Sequence, residues 1–151
     1  MMALETHKLL VRRIHEEAES EGRLDVIDEA YAESFVDAGH PERGSGPESV
    51  KAHVREMRER FPDLRVTVES IVAEGDLVVA RVISSGTHRG AFAGLAPTGR
   101  FVSWDGFVMR RFAAGRIVQQ WTRFDMLGLL RQLGALSALS GGREANHDAA
   151  G

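Results

Sequence analysis

The chain has 151 residues, of which 43% are hydrophobic, enough for one domain with a continuous core. Its 19 basic and 22 acidic residues are interspersed and leave a net charge of -3, and the absence of a basic block argues against nucleic-acid binding. Cysteine is absent, which excludes disulfides, thiol nucleophiles and cysteine-ligated metals and is compatible with a cytoplasmic location.

Helical periodicity dominates the first part of the chain. Apolar residues recur three or four positions apart within residues 5–19, 24–32 and 47–61, which predicts three amphipathic helices. Gly22 suits the end of the first helix and Pro47 the start of the third. The first apolar stripe consists of Leu9, Leu10, Ile14 and Ala18. Charged residues interrupt this N-terminal segment, so we expect no signal peptide, and no apolar run reaches the roughly 20 residues of a membrane span.

An extended piece and a loop separate the second and third predicted helices. Phe35 and Val36 begin the extended piece. Residues 38–46 are rich in glycine and proline and predict a loop.

From residue 64 onward the apolar period changes to two, which predicts strands at 64–69, 77–85, 101–112 and 116–124. The second of these is apolar on both faces, so we expect it to be the central strand of an antiparallel meander. Short turns join the strands, except that residues 86–100 form a longer link. Residues 126–133 predict a final helical turn or two.

Helices at the front and strands behind predict an α+β fold in which a curved antiparallel sheet and three helices enclose a pocket. Residues 1–136 are expected to form this single domain, and residues 137–151, rich in small and polar residues, a disordered tail. Cavities between sheet and helices usually hold small ligands, so a hydrophobic small molecule is the expected partner.

The last predicted strand ends in an acid. Trp121, Arg123 and Asp125 have the same parity and therefore share one face of the strand. A carboxylate that is desolvated beside tryptophan gains a raised pKa and suits acid/base chemistry near neutral pH. The alternative is an N-cap, in which Asp125 accepts backbone N–H groups of the following helix. The sequence alone leaves both interpretations open.

Two histidines are further site candidates. His88 follows the central predicted strand, where it would either contact a substrate carbonyl or be an ordinary buried or surface histidine. His40 lies in the glycine-proline loop near Asp37, and this pair would either line the mouth of the pocket or face solvent.

Trp104, Trp121 and Asp105 depend on which face of the sheet points inward. Each tryptophan would fill the core or floor an aromatic substrate site. Asp105 interrupts an apolar strand; it is a second carboxylate in the pocket if its face is inward, and a surface charge paired with Arg110 or Arg123 if it is outward.

Several catalytic motifs are absent. The chain contains no glycine-rich phosphate loop, HExxH helix or GxSxG elbow, and its histidines show no compact metal-ligand spacing. We therefore expect no metal and no cofactor.

Four segments together resemble one known family. They are FPDLRV at 61–66, GTHRG at 86–90, PTGR at 97–100 and DMLGLLRQLG at 125–134. Their order and spacing resemble the SnoaL-like polyketide cyclases, or ester cyclases, over residues 5–134. The resemblance implies the cone-shaped fold of the nuclear transport factor 2-like superfamily.

The resemblance also implies site residues and an activity. In the cyclases an aspartate near the end of the last strand is the acid/base for an intramolecular aldol closure of a polyketide ester, and Asp125 matches it. His88 matches the family's Gly-Thr-His motif and Trp121 its strand tryptophan. Where relatives often continue directly with histidine after the extended piece, this chain inserts Ala38 and Gly39 before His40.

Two alternatives to a cyclase stay open. One is a non-catalytic domain that binds a hydrophobic metabolite through Trp104 and Trp121. The other is a different reaction of the same fold, such as hydroxylation, dehydration or epoxide opening.

The apolar pattern of the sheet predicts assembly. Val78, Ala80 and Val82 occupy one face of their strand while Leu77, Val79 and Ile83 occupy the other, and three helices can cover only one face. The uncovered face is expected to meet a second copy, giving a homodimer.

Overall fold

The computed structural model describes residues 2–136, and the predicted tail lies outside them. The helices are α1 (Met2–Arg13), α2 (Asp25–Ala30), α3 (Gly46–Arg60) and α4 (Met126–Gln132). The strands are β1 (Tyr31–Asp37), β2 (Arg65–Glu74), β3 (Leu77–Thr87), β4 (Phe101–Ala113) and β5 (Arg116–Phe124). A wide π-helical segment at Ile14–Glu19 follows α1, and a short 3-10 turn at Pro41–Arg43 precedes α3. None of these helices is long and apolar enough to span a membrane.

The predicted α+β architecture is confirmed: one five-stranded sheet in the order β1-β5-β4-β3-β2 is covered by the helices. The strands β2 to β5 form the predicted antiparallel meander, and β1 joins β5 in parallel. The prediction that β3 is central is wrong, because β1 extends the sheet beyond β5 and moves the centre to β4.

The two faces of the sheet differ sharply in burial. The even-numbered residues of β4 point inward, and among them Val102, Val108 and Phe112 are buried in the core. The odd-numbered residues point outward and include the exposed Phe101 and Phe107. On β3 the inward set is Val78, Ala80 and Val82, and these side chains are almost fully buried. The apolar residues Leu77, Val79 and Ile83 lie on the outer face, half-buried.

The pairing of β5 with β4 determines which residues of β5 face the core. Gln120 lies opposite Arg110 and Thr122 opposite Val108, so the even residues in the second half of β5 also face inward. A bulge reverses the parity at the start of the strand, where Ile117 lies opposite Phe112 and is buried. Trp121 lies opposite Met109, which places its side chain on the outer face.

The start of the chain departs from its predicted helical stripe. Leu9 was expected to be buried and is 62% exposed, whereas Val11 and His15 are buried. Both Leu9 and Val11 lie in α1, where Val11 is three residues before the buried Ile14 and shares its face, whereas Leu9 is five residues before Ile14 and does not.

Candidate functional site

A cavity of about 340 Å³ lies between the helices and the inner face of the sheet. One wall comes from the π-helical segment and α3, the other from the inward residues of β3, β4 and β5. Val50, Val54 and Met57 supply an apolar stripe of α3, and Trp104 and Phe92 supply aromatic surface. The volume and the mostly apolar lining suit a small-molecule ligand.

The π-helical segment brings two titratable groups onto this wall. His15 and Glu19 both line the cavity. The end of the segment is fixed by neighbours: Arg58 donates to the carbonyls of Glu19 and Ser20 at 2.8 and 2.9 Å. The Ser20 hydroxyl donates to the His15 carbonyl at 2.8 Å and accepts from the Val66 N–H at 2.8 Å. These contacts tie the segment to α3 and β2.

His15 and Glu19 lie in close contact. The His15 side chain is 2% exposed and its Nδ1 lies 2.5 Å from Glu19 Oε1. Burial and the charge of Arg110 lower the pKa of His15, and this outweighs the opposing effect of Glu19. Burial alone would raise the pKa of Glu19, but its contacts with His15 and the charge of Arg110 lower it. At neutral pH the pair is therefore a carboxylate beside a neutral imidazole.

Arg110 continues the array on the opposite wall. It is 3% exposed and points inward from the middle of β4. Its Nη1 lies 3.0 Å from His15 Nε2, its Nε donates to the Tyr31 hydroxyl at 3.3 Å, and that hydroxyl donates to Gln120 Oε1 at 2.8 Å. A guanidinium can only donate, so His15 Nε2 is the acceptor and the imidazole proton sits on Nδ1 toward Glu19. Burial raises the pKa of Tyr31, so its hydroxyl stays protonated.

Each end of this array retains a group for a ligand. Within residues 2–136 Glu19 Oε2 accepts no hydrogen bond and Arg110 Nη2 donates none, and both residues line the cavity. The neutral imidazole of His15 lies between the carboxylate of Glu19 and the guanidinium of Arg110, and these two opposite charges compensate each other. A base and an oxyanion-stabilising cation thus face the same apolar space.

Asp125 lies elsewhere. It is the N-cap of α4, its Oδ1 accepts the Gly128 N–H at 2.9 Å, and its side chain is exposed. The predicted placement in a desolvated pocket beside Trp121 is wrong, and the cap interpretation is the one the geometry supports. The carboxylate of Asp125, to which the resemblance assigned a catalytic role, therefore caps α4.

Trp121 and Asp105 also lie outside the cavity. Trp121 packs on the outer face under Arg111, whose guanidinium carbon is 5.4 Å from the indole ring. Asp105 lies on the same face and accepts from Arg81 Nη2 at 2.7 Å. Asp105 is thus the surface charge of the two options, although its partner is Arg81 rather than Arg110 or Arg123. The inward alternative failed because even, not odd, residues face the core.

His88 is completely buried at the end of β3 but does not line the cavity. Its Nδ1 accepts the Thr98 N–H at 3.1 Å, which holds the loop after β3 against the strand. The backbone of His88 exchanges hydrogen bonds with Gly99 and Arg100. These contacts give His88 a structural role. Its side chain does not line the space that a ligand would occupy.

The remaining predicted site residues differ in whether they line the cavity. Trp104, His40 and Arg123 line the cavity, as expected of substrate-binding residues. Asp37 is buried beneath its mouth, where its Oδ1 accepts the N–H groups of Gly39 and His40 at 3.1 Å each. Asp37 therefore shapes the loop that carries His40.

The sequence-based search missed His15, Glu19 and Arg110. A signal existed for Arg110: it is a charged residue among the buried, even-numbered positions of a strand that includes Val108 and Phe112. His15 and Glu19 are four residues apart beside an apolar stripe, which is too common a pattern to single out. Within residues 2–136 no three histidine and acidic side chains converge as a metal site.

Comparisons with known proteins agree with this fold. The family model for SnoaL-like polyketide cyclases matches residues 9–133. The aklanonic acid methyl ester cyclase AcmA from Streptomyces galilaeus is 32% identical over 127 residues, covering 82% of this chain and 88% of the relative.

Solved structures show the same likeness. TsrD from Streptomyces laurentii has a TM-score of 0.81 and 30% identity, covering 87% of this chain and 96% of its own. AclR from Streptomyces galilaeus, a proposed hydroxylase, has a TM-score of 0.76 and 29% identity, covering 87% of each chain. IdmH from Streptomyces antibioticus, a proposed polyketide cyclase, has a TM-score of 0.73 and 31% identity, covering 85% of this chain and 98% of its own.

Proposed function

The chain belongs to the SnoaL-like polyketide cyclase family, and on that premise we propose that it closes a ring in a hydrophobic polyketide by an aldol reaction, with no cofactor. The observation that carries the proposal is the array Glu19–His15–Arg110 on the cavity wall. It places a carboxylate and a guanidinium at the two ends of one imidazole, both open to the space where a substrate would lie.

The proposed reaction begins with a carbon-bound proton. A methylene flanked by carbonyl groups loses its proton to Glu19 Oε2, and the electron pair of the broken C–H bond becomes an enolate. Arg110 Nη2 donates to the enolate oxygen. Negative charge thereby moves from Glu19 to the enolate beside Arg110, and the net charge of the buried site does not change.

Ring closure completes the reaction. The enolate carbon attacks a second carbonyl carbon of the same molecule, a C–C bond forms, and the new alkoxide recovers the proton from Glu19. The proton returns to the molecule and no atom is gained or lost, so substrate and product are isomers of the same mass. His15 contacts Glu19 through Nδ1 and Arg110 through Nε2, and its role is to hold the base and the cation in register.

The test is incubation with a polycyclic methyl ester such as aklanonic acid methyl ester, the compound in the name of the relative AcmA. Liquid chromatography with mass detection should give a product of unchanged mass and new retention time. Glu19→Gln should remove this product and Asp125→Asn should retain it. Loss in the Asp125 variant with full activity in the Glu19 variant would contradict the proposal.

One alternative reaction has a specific observation in its favour, the likeness to AclR, a proposed hydroxylase. A product heavier by one oxygen atom would support hydroxylation instead of cyclisation. Saturable binding with no product from a panel of polyketide esters would favour a non-catalytic ligand-binding domain.

We also propose that two copies pair through the outer face of the sheet. Phe101 and Phe107 on this face are 68% and 53% exposed, more than a single chain ordinarily leaves in water along one strand. Sedimentation equilibrium at micromolar concentration should give twice the chain mass of 16.6 kDa, and Phe107→Glu should lower it. A single-chain mass that stays constant with concentration would contradict pairing.

A further inference from the structure

The charges around the cavity are unbalanced. Its described lining includes four guanidinium groups and a single carboxylate, that of Glu19. The guanidiniums are those of Arg43, Arg60, Arg110 and Arg123. An apolar cavity lined in this way favours an anionic ligand over a neutral one.

Two of the four cations already have strong partners. Arg110 is balanced by Glu19 through His15, as described above. Arg60 Nη2 contacts Glu56 Oε1 at 2.8 Å, and its guanidinium lies 5.4 Å from the centre of the Phe92 ring. The imbalance is therefore concentrated in Arg43 and Arg123.

Arg43 is weakly neutralised. Its side chain is 34% exposed, and its Nη1 lies 3.5 Å from Asp37 Oδ2, at the limit of a hydrogen bond. The other oxygen of Asp37 is occupied by the N–H groups of Gly39 and His40. Asp37 is thus oriented for its loop, and Arg43 keeps donors for another acceptor.

Arg123 and His53 approach the same end of the cavity from other elements. Arg123, at the end of β5, turns back beside Gly39, and among residues 2–136 its side chain donates only to the Thr122 carbonyl, at 2.8 Å. His53 lies on α3 and lines the cavity, and it forms no hydrogen bond within residues 2–136. Burial and the charge of Arg43 lower the pKa of His53, so it presents a neutral imidazole at neutral pH.

We propose that the substrate carries a carboxylate, which Arg43, Arg123 and His53 bind at the open end of the cavity while its rings lie against Trp104. This inference rests on the proposed function and adds the substrate class. We expect a polycyclic polyketide acid to be preferred over a neutral methyl ester such as the one in the name of AcmA. A bidentate guanidinium contact favours a planar carboxylate over an ester, which has lost the negative charge and one acceptor.

Binding of two non-reactive probes tests this directly. Anthracene-2-carboxylate and methyl anthracene-2-carboxylate differ only in the charged group, and isothermal titration calorimetry at 0.15 M salt gives both dissociation constants. The acid should bind roughly tenfold more tightly than the ester. Arg43→Gln should reduce the ratio to near one, and Arg43→Lys should restore part of it.

Arg55→Gln is the matched control, because Arg55 is an exposed arginine on the far side of α3 and does not line the cavity. It should keep the wild-type ratio, and thermal melting should show that each variant is folded. Equal binding of acid and ester, no acid binding at millimolar concentration, or an unchanged ratio in Arg43→Gln would each overturn the proposal.

The readout is independent of turnover. Glu19→Gln should abolish cyclisation and keep the preference for the acid. A protein that cyclises esters without this preference would refute the carboxylate subsite alone, and a protein that prefers the acid but cyclises nothing would refute the proposed function alone.

Discussion

Asp125 and Glu19 each contact a residue three or four positions away, and the two contacts use the carboxylate differently. At the β5–α4 junction Asp125 accepts a backbone N–H of Gly128 in solvent. On the cavity wall Glu19 contacts the buried imidazole of His15, which in turn contacts Arg110. A backbone amide carries no net charge and does not titrate near neutral pH, whereas an imidazole can titrate there and a guanidinium supplies a fixed positive charge that can stabilise an anion. The comparison shows that the partner and the burial of an acid, rather than its place at a strand end, indicate chemistry.

The sharpest way to test this comparison is to neutralise each acid in turn. Glu19→Gln removes the base and keeps the shape, so turnover should fall by roughly 10² to 10⁴-fold. Asp125→Asn keeps an oxygen that caps α4 and should stay within about twofold of the wild type. Initial rates of product formation, measured by chromatography, give both values. Equal losses in the two variants would break the comparison.

Exchange of the buried cation should have the next largest effect. Arg110→Lys keeps the positive charge but cannot contact His15, Tyr31 and an enolate at once, so kcat should fall about 100-fold with little change in KM. Arg111→Lys is the matched control, because the neighbouring Arg111 lies on the outer face and is 41% exposed. Its kcat should remain within about twofold. A loss of similar size in both would mean that the sheet as a whole, and not the array, had been disturbed.

The pH dependence of stability should report the same array. The lowered pKa of His15 means that the unfolded chain takes up a proton below the ordinary value of 6.5 before the folded chain does, so the free energy of unfolding falls as the pH drops. The lowered pKa of Glu19 adds stability that is present above the ordinary value of 4.5 and is lost as the pH falls through the folded-state value. Urea unfolding between pH 7 and pH 4 measures the fall.

His15→Asn removes the first of these contributions. Its unfolding free energy should decline less steeply than that of the wild type below pH 6.5, although His53 and His7, whose pKa values burial also lowers, leave part of the slope. Parallel curves for the two proteins would show that His15 titrates alike in both states.

The smallest effect is expected at the helix cap. Asp125→Ala should destabilise the protein by about 1 kcal/mol through the loss of the bond to Gly128, and Asp125→Asn by much less. The two urea midpoints measure this difference. If Asp125→Ala left stability unchanged and abolished turnover, the catalytic interpretation of Asp125 would return.

Periodicity alone predicted the helices and the meander because each depends on local spacing. It could not predict the centre of the sheet, since nothing local shows that the short strand β1 pairs with β5. The common face predicted for Trp121, Arg123 and Asp125 is wrong, because Trp121 lies on the outer face, Arg123 lines the cavity and Asp125 follows β5 as the cap of α4. Which face is inward follows from register with β4, and that register is a tertiary property.

The candidate site was harder to predict for the same reason. The resemblance directed attention to the motif that contains Asp125, yet that motif builds a cap. Glu19 and Arg110 are far apart in the sequence and meet only through His15 and the inner face of β4. Arg110 could have been singled out by its parity, but its partners could not.

Because Ile14–Glu19 is π-helical, the insertion or deletion of one residue would disturb the array in a way that a substitution would not. A π-helical turn differs from an α-helical one by a single additional residue, the outcome expected when one codon is inserted into a regular helix. Deletion of the exposed Glu16 would let the helix return to regular spacing and rotate Glu19 away from its present position relative to α1. Gain or loss of one residue here would therefore change which side chains face the cavity, while the strands of the sheet keep their own spacing.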